Sequence, residues 1–428
     1  MKIKDIRAWE ILDSRGQPSL ATRVILEDGS SGLAKVPSGA STGSHEACEL
    51  RDSDQGRYSG RGVLKAVSNI ETEIKAALSG KEAEDQAGLD KAMIELDGQA
   101  GKSRLGANAI LAVSLACARA AAASARMPLY QYLSKFNPNF SDRYELPIPM
   151  LNVLNGGRHA NLATDIQEYL VMPIGLASLP EAIRAGAEIY QSLKRVLLAG
   201  GYSSLVGDEG GFAPSVKDNE EPFRLLSEAV AKAGYRLGQD VAFGIDAAAS
   251  EFYRDGRYEL KKEGRVFSGE ELAAFYLGLA KKYPIVSWED VFAEDDWESF
   301  ARFTASRQFQ VVGDDLYVTD TKRLRRGIEE KSTTAILIKP NQIGTLTETV
   351  AAVSLAREAG LDAVISHRSG ETEDDFIADL AVGLGARQIK TGAPARSERT
   401  AKYNRLLEIA LELGEAGSYA AFPFKPIV

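Results

Sequence analysis

The feature that most constrains the fold is a repeated alternation of short apolar runs with helix-length stretches, beginning after Pro149. The apolar runs are, in order, PMLNVLNGG, IQEYLVMPIG, VAFGID, PIVSWED, FQVVGDD, TAILIKPN, DAVISHRSG and ARQIKTG. Helical candidates such as GEELAAFYLGLAKKY and LTETVAAVSLAREAG separate several of them. Near-continuous apolar strands alternating with helices are typical of a parallel sheet covered on both faces. Eight such strands predict a closed α/β barrel.

An open doubly wound sheet is the structural alternative, since it uses the same alternation of strands and helices. Its dinucleotide-binding form has a G-x-G-x-x-G motif that opens a helix after the first strand. The sequence has no such motif at that place. The barrel is therefore the preferred interpretation.

The first third of the chain has a different pattern. The segments IKDIRAWEIL and SLATRVILEDG alternate like the strands of a hairpin connected by residues 13–16. A Gly/Ser-rich loop, VPSGASTGSHEA, follows, and then two or three helical stretches that end in an alanine-rich helix starting near Gly106. The polar, proline-containing stretch KFNPNFSDRYELPIP predicts a linker. We predict a small α+β domain over residues 1–135 and an α/β barrel domain over residues 136–428.

Composition limits the function classes. The net charge of −9 argues against a nucleic-acid-binding protein, which normally presents a basic face. Cys48 and Cys117 lie in different segments, which indicates a reducing compartment and no disulfide framework. The apolar window AILAVSLACARAAAASA contains Arg119 and predicts a buried helix and not a membrane span. The N-terminal MKIKDIRAWEIL predicts a strand of the mature protein. We therefore expect a cytoplasmic protein.

The last six predicted strands each end in a charged or polar residue. These residues are Asp246, Glu289, Asp314, Lys339, His367 with Arg368, and Lys390. In a barrel of parallel strands, all carboxyl ends meet at one face, which is where active sites of such barrels lie. The sequence therefore predicts a ring of polar side chains around one barrel mouth.

Three of these residues are acids on successive strands, namely Asp246, Glu289 and Asp314. Crowded carboxylates repel one another unless a cation lies among them. Ligation by oxygen alone suits a hard ion such as Mg²⁺ better than zinc. The alternative is that each acid caps the helix that follows its strand.

Three further residues at this mouth are cations, namely Lys339, Arg368 and Lys390. In an acidic protein they equip one face to bind a small anion, and Arg368 with Ser369 has the donors that a phosphate needs. A lysine among cations and a metal can have a depressed pKa and act as a base. The alternative is that these cations only form salt bridges with the neighbouring acids.

Two other segments add candidates. SLVGDEGGFAP presents Glu209 between glycines, in a stretch too rich in glycine for a helix, which favours a functional role for this carboxylate. NGGRHANLATDIQEY supplies His159, Gln167 and Glu168. A lone histidine such as His159 is more often structural than catalytic.

Long motifs along the chain, in the same order, resemble the enolase family. They are PSGASTG, NGGRHA, VGDEGGFAP, LIKPNQIGTLTE, VISHRSGETED and IKTGAPARSERTAKYNRLL, and the resemblance covers nearly the whole chain. It implies a small N-terminal α+β domain followed by an enolase-type (β/α)8-like barrel. The implied reaction is the reversible, Mg²⁺-dependent dehydration of 2-phospho-D-glycerate to phosphoenolpyruvate in glycolysis and gluconeogenesis.

The resemblance also implies a role for each candidate residue. The implied catalytic residues are Lys339 as the base for the C2 proton, Glu209 as the general acid for the C3 hydroxyl, and Glu168 and His159 as supports that close around the substrate. The implied substrate contacts are Gln167, His367, Arg368, Ser369 and Lys390. The implied ligands are Asp246, Glu289 and Asp314 for one Mg²⁺, and Ser41 for a second Mg²⁺ that arrives with the substrate.

Two other functions remain as alternatives. A related dehydratase or racemase of acid sugars is expected to lack the SHRSG and GDEGG motifs, and both are present. A non-catalytic structural or interaction protein of the same descent is expected to have lost Lys339, Glu209 or a metal-binding acid, and none is lost. By resemblance we expect a homo-oligomer, either a dimer or an octamer, with no nucleic-acid partner. A cell-surface or secreted pool is suggested by resemblance only.

Overall fold

The computed structural model describes residues 1–39, 43–138, 140, 143–157, 163–305 and 308–427. Its N-terminal part contains a three-stranded antiparallel sheet, with β1 (Ile3–Leu12), β2 (Pro18–Leu26) and β3 (Ser31–Lys35) in that order. The predicted hairpin is present, and Gly16 takes the positive φ of +70° that its turn requires. The third strand, β3, was not predicted.

Helices complete the N-terminal part. They are α1 (Leu64–Asn69), a π-helical turn (Ile70–Ile74), α2 (Lys75–Leu78), α3 (Gln86–Asp97), α4 (Ala107–Ser124) and α5 (Leu129–Ser134). The alanine-rich helix α4 packs on β2 and β3, and its small side chains permit this close approach. A Cβ on Gly32 of β3 would lie 2.2 Å from the carbonyl oxygen of Ala116. By length and composition α4 could cross a membrane, but 83% of its residues are buried inside the protein.

The C-terminal part is a closed eight-stranded barrel, as predicted. Its strands are β5 (Ile148–Asn155), β6 (Glu168–Met172), β7 (Ala242–Asp246), β11 (Ile285–Glu289), β12 (Gln310–Gly313), β13 (Ala335–Ile338), β14 (Asp362–Ser366) and β15 (Gln388–Lys390). The remaining strands are β4 (Tyr144–Leu146), β8 (Tyr253–Arg254), β9 (Arg257–Leu260), β10 (Arg265–Phe267) and β16 (Gly417–Tyr419). They form a small sheet β10-β9-β8 and a pair β16-β4.

The expectation that all barrel strands are parallel is wrong for β6, which runs antiparallel to both β5 and β7. The β5–β6 connection contains no α-helix in its described residues, 156–157 and 163–167. A parallel pair needs a long crossover connection, usually a helix, whereas an antiparallel pair does not. The other barrel pairs are parallel.

Helices surround the barrel. They are α6 (Leu179–Ala199), α7 (Glu221–Lys232), α8 (Gly269–Ala280), α9 (Trp297–Thr304), α10 (Thr321–Glu330), α11 (Pro340–Ile343), α12 (Leu346–Glu358), α13 (Phe376–Leu384) and α14 (Ser397–Leu413). Successive strand residues point to opposite faces. One set, which includes Met150, Leu170, Val286 and Leu337, forms a buried apolar cluster separate from the main core. The carboxyl ends of the strands are thereby fixed by packing on both faces.

The N-terminal part meets the barrel at the loop after β14. Ser38 and Gly370 exchange two backbone hydrogen bonds of 2.8 and 2.9 Å. The amide of Ser14 donates to the carbonyl oxygen of Glu371 at 2.7 Å. The hairpin turn and the loop after β3 therefore lie beside the polar ends of the barrel strands. The domain boundary between residues 135 and 136 stays a prediction.

Candidate active site

The polar ends of the barrel strands line one cavity. Its described lining consists of Gln167, Glu168, Glu209, Asp246, Ala248, Glu251, Asp290, Asp314, Asp315, Lys339, Ser366, His367, Arg368, Ser369 and Lys390. Because β6 runs in the opposite direction, its first residue, Glu168, lies at this end and pairs with Asp246 of β7. Glu289 lies beside the cavity and contacts Lys390. Ser41 and His159 lie outside the described residues.

Lys390 is the centre of a buried charge network. Its Nζ lies 2.7 Å from Glu289 Oε1, 3.1 Å from Glu168 Oε2 and 3.4 Å from Asp246 Oδ2. Burial lowers the pKa of Lys390, but the carboxylates of Glu168, Glu289 and Asp246 raise it well above its ordinary value. Lys390 therefore stays protonated and concentrates positive charge deep in the cavity.

Lys339 forms a second buried pair, in which its Nζ donates to Asp314. Burial lowers the pKa of Lys339, but the Asp314 carboxylate outweighs it, so the pKa lies above its ordinary value. The nearest charge to Lys339 is thus a carboxylate and not a cation, and this pairing opposes the depressed pKa expected of a lysine that lies among cations and a metal. The same pairing, with Lys390 in support, lowers the pKa of Asp314 in spite of its burial.

The predicted metal-binding acids do not form one compact group. Asp246 and Glu289 contact Lys390, whereas Asp314 contacts Lys339. In the described part of the chain, the acids whose oxygens lie within 4.8 Å of one another are Asp290, Asp314 and Asp315. Asp314 is common to both sets. The roles of Asp246, Glu289 and Asp314 as metal ligands stay predictions.

The donor set nevertheless fits a hard divalent cation. Every candidate ligand among the described residues is a carboxylate, which is the group that Mg²⁺ prefers in proteins. Glu289 Oε2 is buried and has no hydrogen-bonding partner among the described residues. Burial raises the pKa of Glu289 well above its ordinary value even though Lys390 opposes this. Burial and the charge of Asp314 raise the pKa of Asp315 to about 8. A nearby cation would relieve this excess of buried acids.

Glu209 is presented by a tight turn, as its glycine neighbours suggested. Gly210 has a φ of +86°, and a Cβ on Gly211 would lie 2.6 Å from Asn155 Oδ1. Asn152 Nδ2 donates to Glu209 Oε2 at 2.8 Å, and His367 Nε2 lies 3.5 Å from the same oxygen. Glu209 itself is only 3% exposed. The carboxyl group is therefore held in a fixed orientation inside the cavity.

Arg368 is oriented by two parts of the chain. Its guanidinium donates to both oxygens of Glu46, at 2.9 and 3.1 Å, and to Asn341 Oδ1 at 2.9 Å. Burial opposes protonation, but Glu46 raises the pKa of Arg368 above its ordinary value. Ser369 follows it in the same loop and lines the same cavity. Glu46 thus brings the N-terminal part of the chain into the site.

Several residues of the site were missed. Asn152 is one of two buried asparagines in the otherwise apolar strand β5, the other being Asn155. This is a signal that could have been used, because buried polar groups need a partner. Asp290 and Asp315 directly follow predicted site residues. Gln342 donates to Asp314 Oδ1 at 2.9 Å. Neither Gln342 nor Glu46 carries a sequence signal of this kind. Their approach depends on the tertiary fold.

Two family models match the chain. The model described as "Enolase, N-terminal domain" matches residues 3–133, and the model described as "Enolase, C-terminal TIM barrel domain" matches residues 143–426. Together they span nearly the whole chain. Their two-part division agrees with the α+β part and the eight-stranded barrel described above.

Proposed function

The chain belongs to the enolase family, and on this premise we propose that it catalyses the reversible dehydration of 2-phospho-D-glycerate to phosphoenolpyruvate and water. One observation carries the proposal. A single cavity contains buried cations, buried carboxylates and an arginine–serine loop, each from the end of a different strand or from an adjoining loop. A substrate with both a carboxylate and a phosphate needs this combination of groups.

Removal of the C2 proton is the difficult step, because it places a second negative charge next to a carboxylate. Mg²⁺ held by Asp246, Glu289 and Asp314 would stabilise that charge and would compete with Lys339 for Asp314. Lys339 has to be neutral to accept the proton, and its pairing with Asp314 favours the charged form. Lys390, which stays protonated beside Glu289, is assigned the role of stabilising negative charge on the substrate.

Departure of the C3 hydroxyl needs a proton donor, and we assign this role to Glu209. The surroundings of Glu209 differ from those of Lys339, since Glu209 accepts a hydrogen bond from Asn152 and lies beside His367 and the carboxylate of Glu168, whereas Lys339 donates directly to Asp314. Different surroundings allow an acid and a base to hold opposite protonation states at one pH. After proton transfer, the amide of Asn152 stabilises the carboxylate that remains.

Arg368 and Ser369 are the proposed phosphate contacts. A guanidinium offers a planar pair of donors that suits a phosphate, and Glu46 already holds this guanidinium in place. Gln167 lies close to Asp246, with 3.3 Å between Gln167 Nε2 and Asp246 Oδ2, where it can contact the same substrate. His159 and Ser41, outside the described residues, keep the roles that the family resemblance implies.

The test is phosphoenolpyruvate formation from 2-phosphoglycerate by the purified protein, followed by ultraviolet absorbance. Activity should require Mg²⁺, disappear with excess EDTA and return when Mg²⁺ is restored. A folded protein that binds Mg²⁺ and makes no product would refute the enzymatic proposal in favour of a non-catalytic role. Turnover that persists in EDTA would refute the metal assignment to Asp246, Glu289 and Asp314.

We also propose that the chain is a cytoplasmic homo-oligomer. Trp9 and Leu12 on β1 are 39% and 55% exposed, and both are large apolar residues on one strand of the N-terminal sheet. The family match supports the proposal of an oligomer, and these two residues are candidates for the subunit interface. Light scattering should give a mass of at least two 46.2 kDa chains, and a monomer at micromolar concentration would contradict this.

A further inference from the structure

Arg399 is a fully buried arginine on α14 for which the proposed mechanism has no role. Its side chain is among the largest that are wholly enclosed, with 0% exposure. Nη1 donates to His367 Nδ1 and to the carbonyl oxygen of Arg368, both at 2.6 Å. Nη2 donates to the carbonyl oxygens of Ser369 at 2.6 Å and Asp208 at 3.1 Å. One guanidinium therefore contacts four acceptors on two loops.

The contact with His367 determines the tautomer of that histidine. An arginine can only donate, so His367 Nδ1 has to present its lone pair. Burial lowers the pKa of His367, and the charge of Arg399 lowers it further, whereas Glu209 raises it. The pKa lies well below its ordinary value, so the ring is neutral. A neutral ring that accepts at Nδ1 carries its proton on Nε2. This Nε2–H then faces Glu209 Oε2 at 3.5 Å.

Arg399 also joins the two loops that carry the proposed acid and the proposed phosphate contacts. Asp208 precedes Glu209, whereas Arg368 and Ser369 follow β14. Close packing supports this connection: a Cβ on Gly392 would lie 2.8 Å from Arg399 Cδ and 2.8 Å from the carbonyl oxygen of Glu209. The side chain therefore fills the space between the loops with little freedom to move.

We propose that Arg399 is a positioning residue that holds His367 as the neutral Nε2–H tautomer and fixes the Glu209 turn against the loop of residues 367–369. In this arrangement His367 donates towards Glu209 and, with Asn152, favours the carboxylate that remains after Glu209 gives up a proton. In the opposite tautomer, a lone pair on Nε2 would face a carboxylate oxygen. The expected effect on kcat depends on the function proposed above, but the expected tautomer of His367 does not depend on it.

The tautomer can be measured directly by two-bond ¹H–¹⁵N correlation spectra of protein labelled with ¹⁵N-histidine. The chain has three histidines, so the spectrum is simple, and His367→Gln identifies the signal of His367. At pH 7 we expect a pyrrole-type Nε2 and a pyridine-type Nδ1. A pyrrole-type Nδ1 or a protonated ring in the wild-type protein would overturn the proposal whether or not the protein is active.

Two variants test the role of Arg399. Arg399→Met removes every donor, so the Nδ1–H tautomer should appear and kcat should fall about 100-fold through displacement of the two loops. Arg399→Lys keeps a single donor nitrogen, so it should retain the Nε2–H tautomer while kcat still falls about 10-fold, because an ammonium lacks the planar fork of the guanidinium. Arg405→Met is the matched control on the same helix, since Arg405 pairs with Asp379 away from the cavity. It should change neither the His367 signal nor kcat.

The outcomes separate the two proposals. Arg399→Met with an unchanged tautomer and an unchanged kcat would overturn the positioning role. If Arg399→Met does not fold, the wild-type spectrum and Arg399→Lys decide, and wild-type kcat in Arg399→Lys would overturn it. A wild-type protein with the Nε2–H tautomer, lost in Arg399→Met, but without turnover would contradict only the proposed function.

Discussion

Lys390 is a buried cation and Lys339 a largely buried one, and the protonation of each depends on the carboxylates beside it. Removing one partner of a buried ion pair leaves a charge without compensation and costs roughly 3–5 kcal/mol of stability. Variants of these lysines therefore affect stability as well as turnover. Glu209 is a better position for a test of chemistry, since glutamine has the same size and can keep the contact with the neutral amide of Asn152.

Glu209→Gln should lower kcat by at least about 100-fold, because the amide cannot donate the proton that the leaving hydroxyl needs. The melting temperature should change little, since the side chain keeps its size and Asn152 can turn its amide to offer its oxygen. Steady-state kinetics and a thermal melt measure both effects. Asp208→Asn, on the same turn, is the control. A Glu209→Gln enzyme with wild-type kcat would remove Glu209 from the role of acid.

Among the secondary-structure elements, the β1–β2 hairpin turn and the loop after β14 depend on each other. Asp13 and Arg15 form an ion pair of 3.0 Å beside Gly370. Arg15 also donates to the carbonyl oxygens of Ser38 and Gly39, both at 3.3 Å. The loop that carries Arg368 is thus held by the N-terminal part as well as by the barrel. A side chain at position 370 would have to displace the Asp13–Arg15 ion pair.

Gly370→Ala should lower kcat/KM by about 10- to 100-fold because the loop of the proposed phosphate contacts is displaced. A Cβ at this position would lie 2.3 Å from both Arg15 Nη2 and Asp13 Oδ2, and the latter side chain is buried. Gly278→Ala is the control: it lies in α8 with open space around the added Cβ, and it should keep full activity. Equal activity of both variants would show that the hairpin does not restrict the loop.

At the scale of the whole molecule, the reactivity of the two cysteines depends on the packing of the N-terminal part. Cys48 is exposed, whereas Cys117 lies within α4, and both thiols are free. Partial burial, with the charges of Asp97 and Glu49, raises the pKa of Cys48. Complete burial raises that of Cys117 further.

Titration of the native protein with a thiol reagent should modify one cysteine per chain, and denaturant should expose a second. A raised pKa leaves less thiolate at pH 7, so the rate at Cys48 should increase as the pH rises towards 9. Cys48→Ser should abolish the native reaction, and Cys117→Ser should leave it unchanged. Rapid reaction of both thiols in the native protein would contradict the packing of α4 against the sheet.

The sequence by itself determined the eight barrel strands, the N-terminal hairpin, the alanine-rich helix and the charged residues at the ends of the strands. These features depend on local periodicity and on residues adjacent in the chain, so they can be read without knowledge of distant contacts. The ring of polar side chains around one barrel mouth could be predicted because all parallel strands of a barrel end at one face.

Only the tertiary structure decided the direction of β6 and the partner of each buried charge. Lys390 contacts acids from three other strands, Lys339 pairs with Asp314, and Arg399 donates to His367 across 32 positions of the chain. Protonation depends on burial and on the nearest charge, and both are set by residues far apart in sequence. The pairing of Lys339 with Asp314, which opposes a depressed pKa, could therefore be identified only from the tertiary structure.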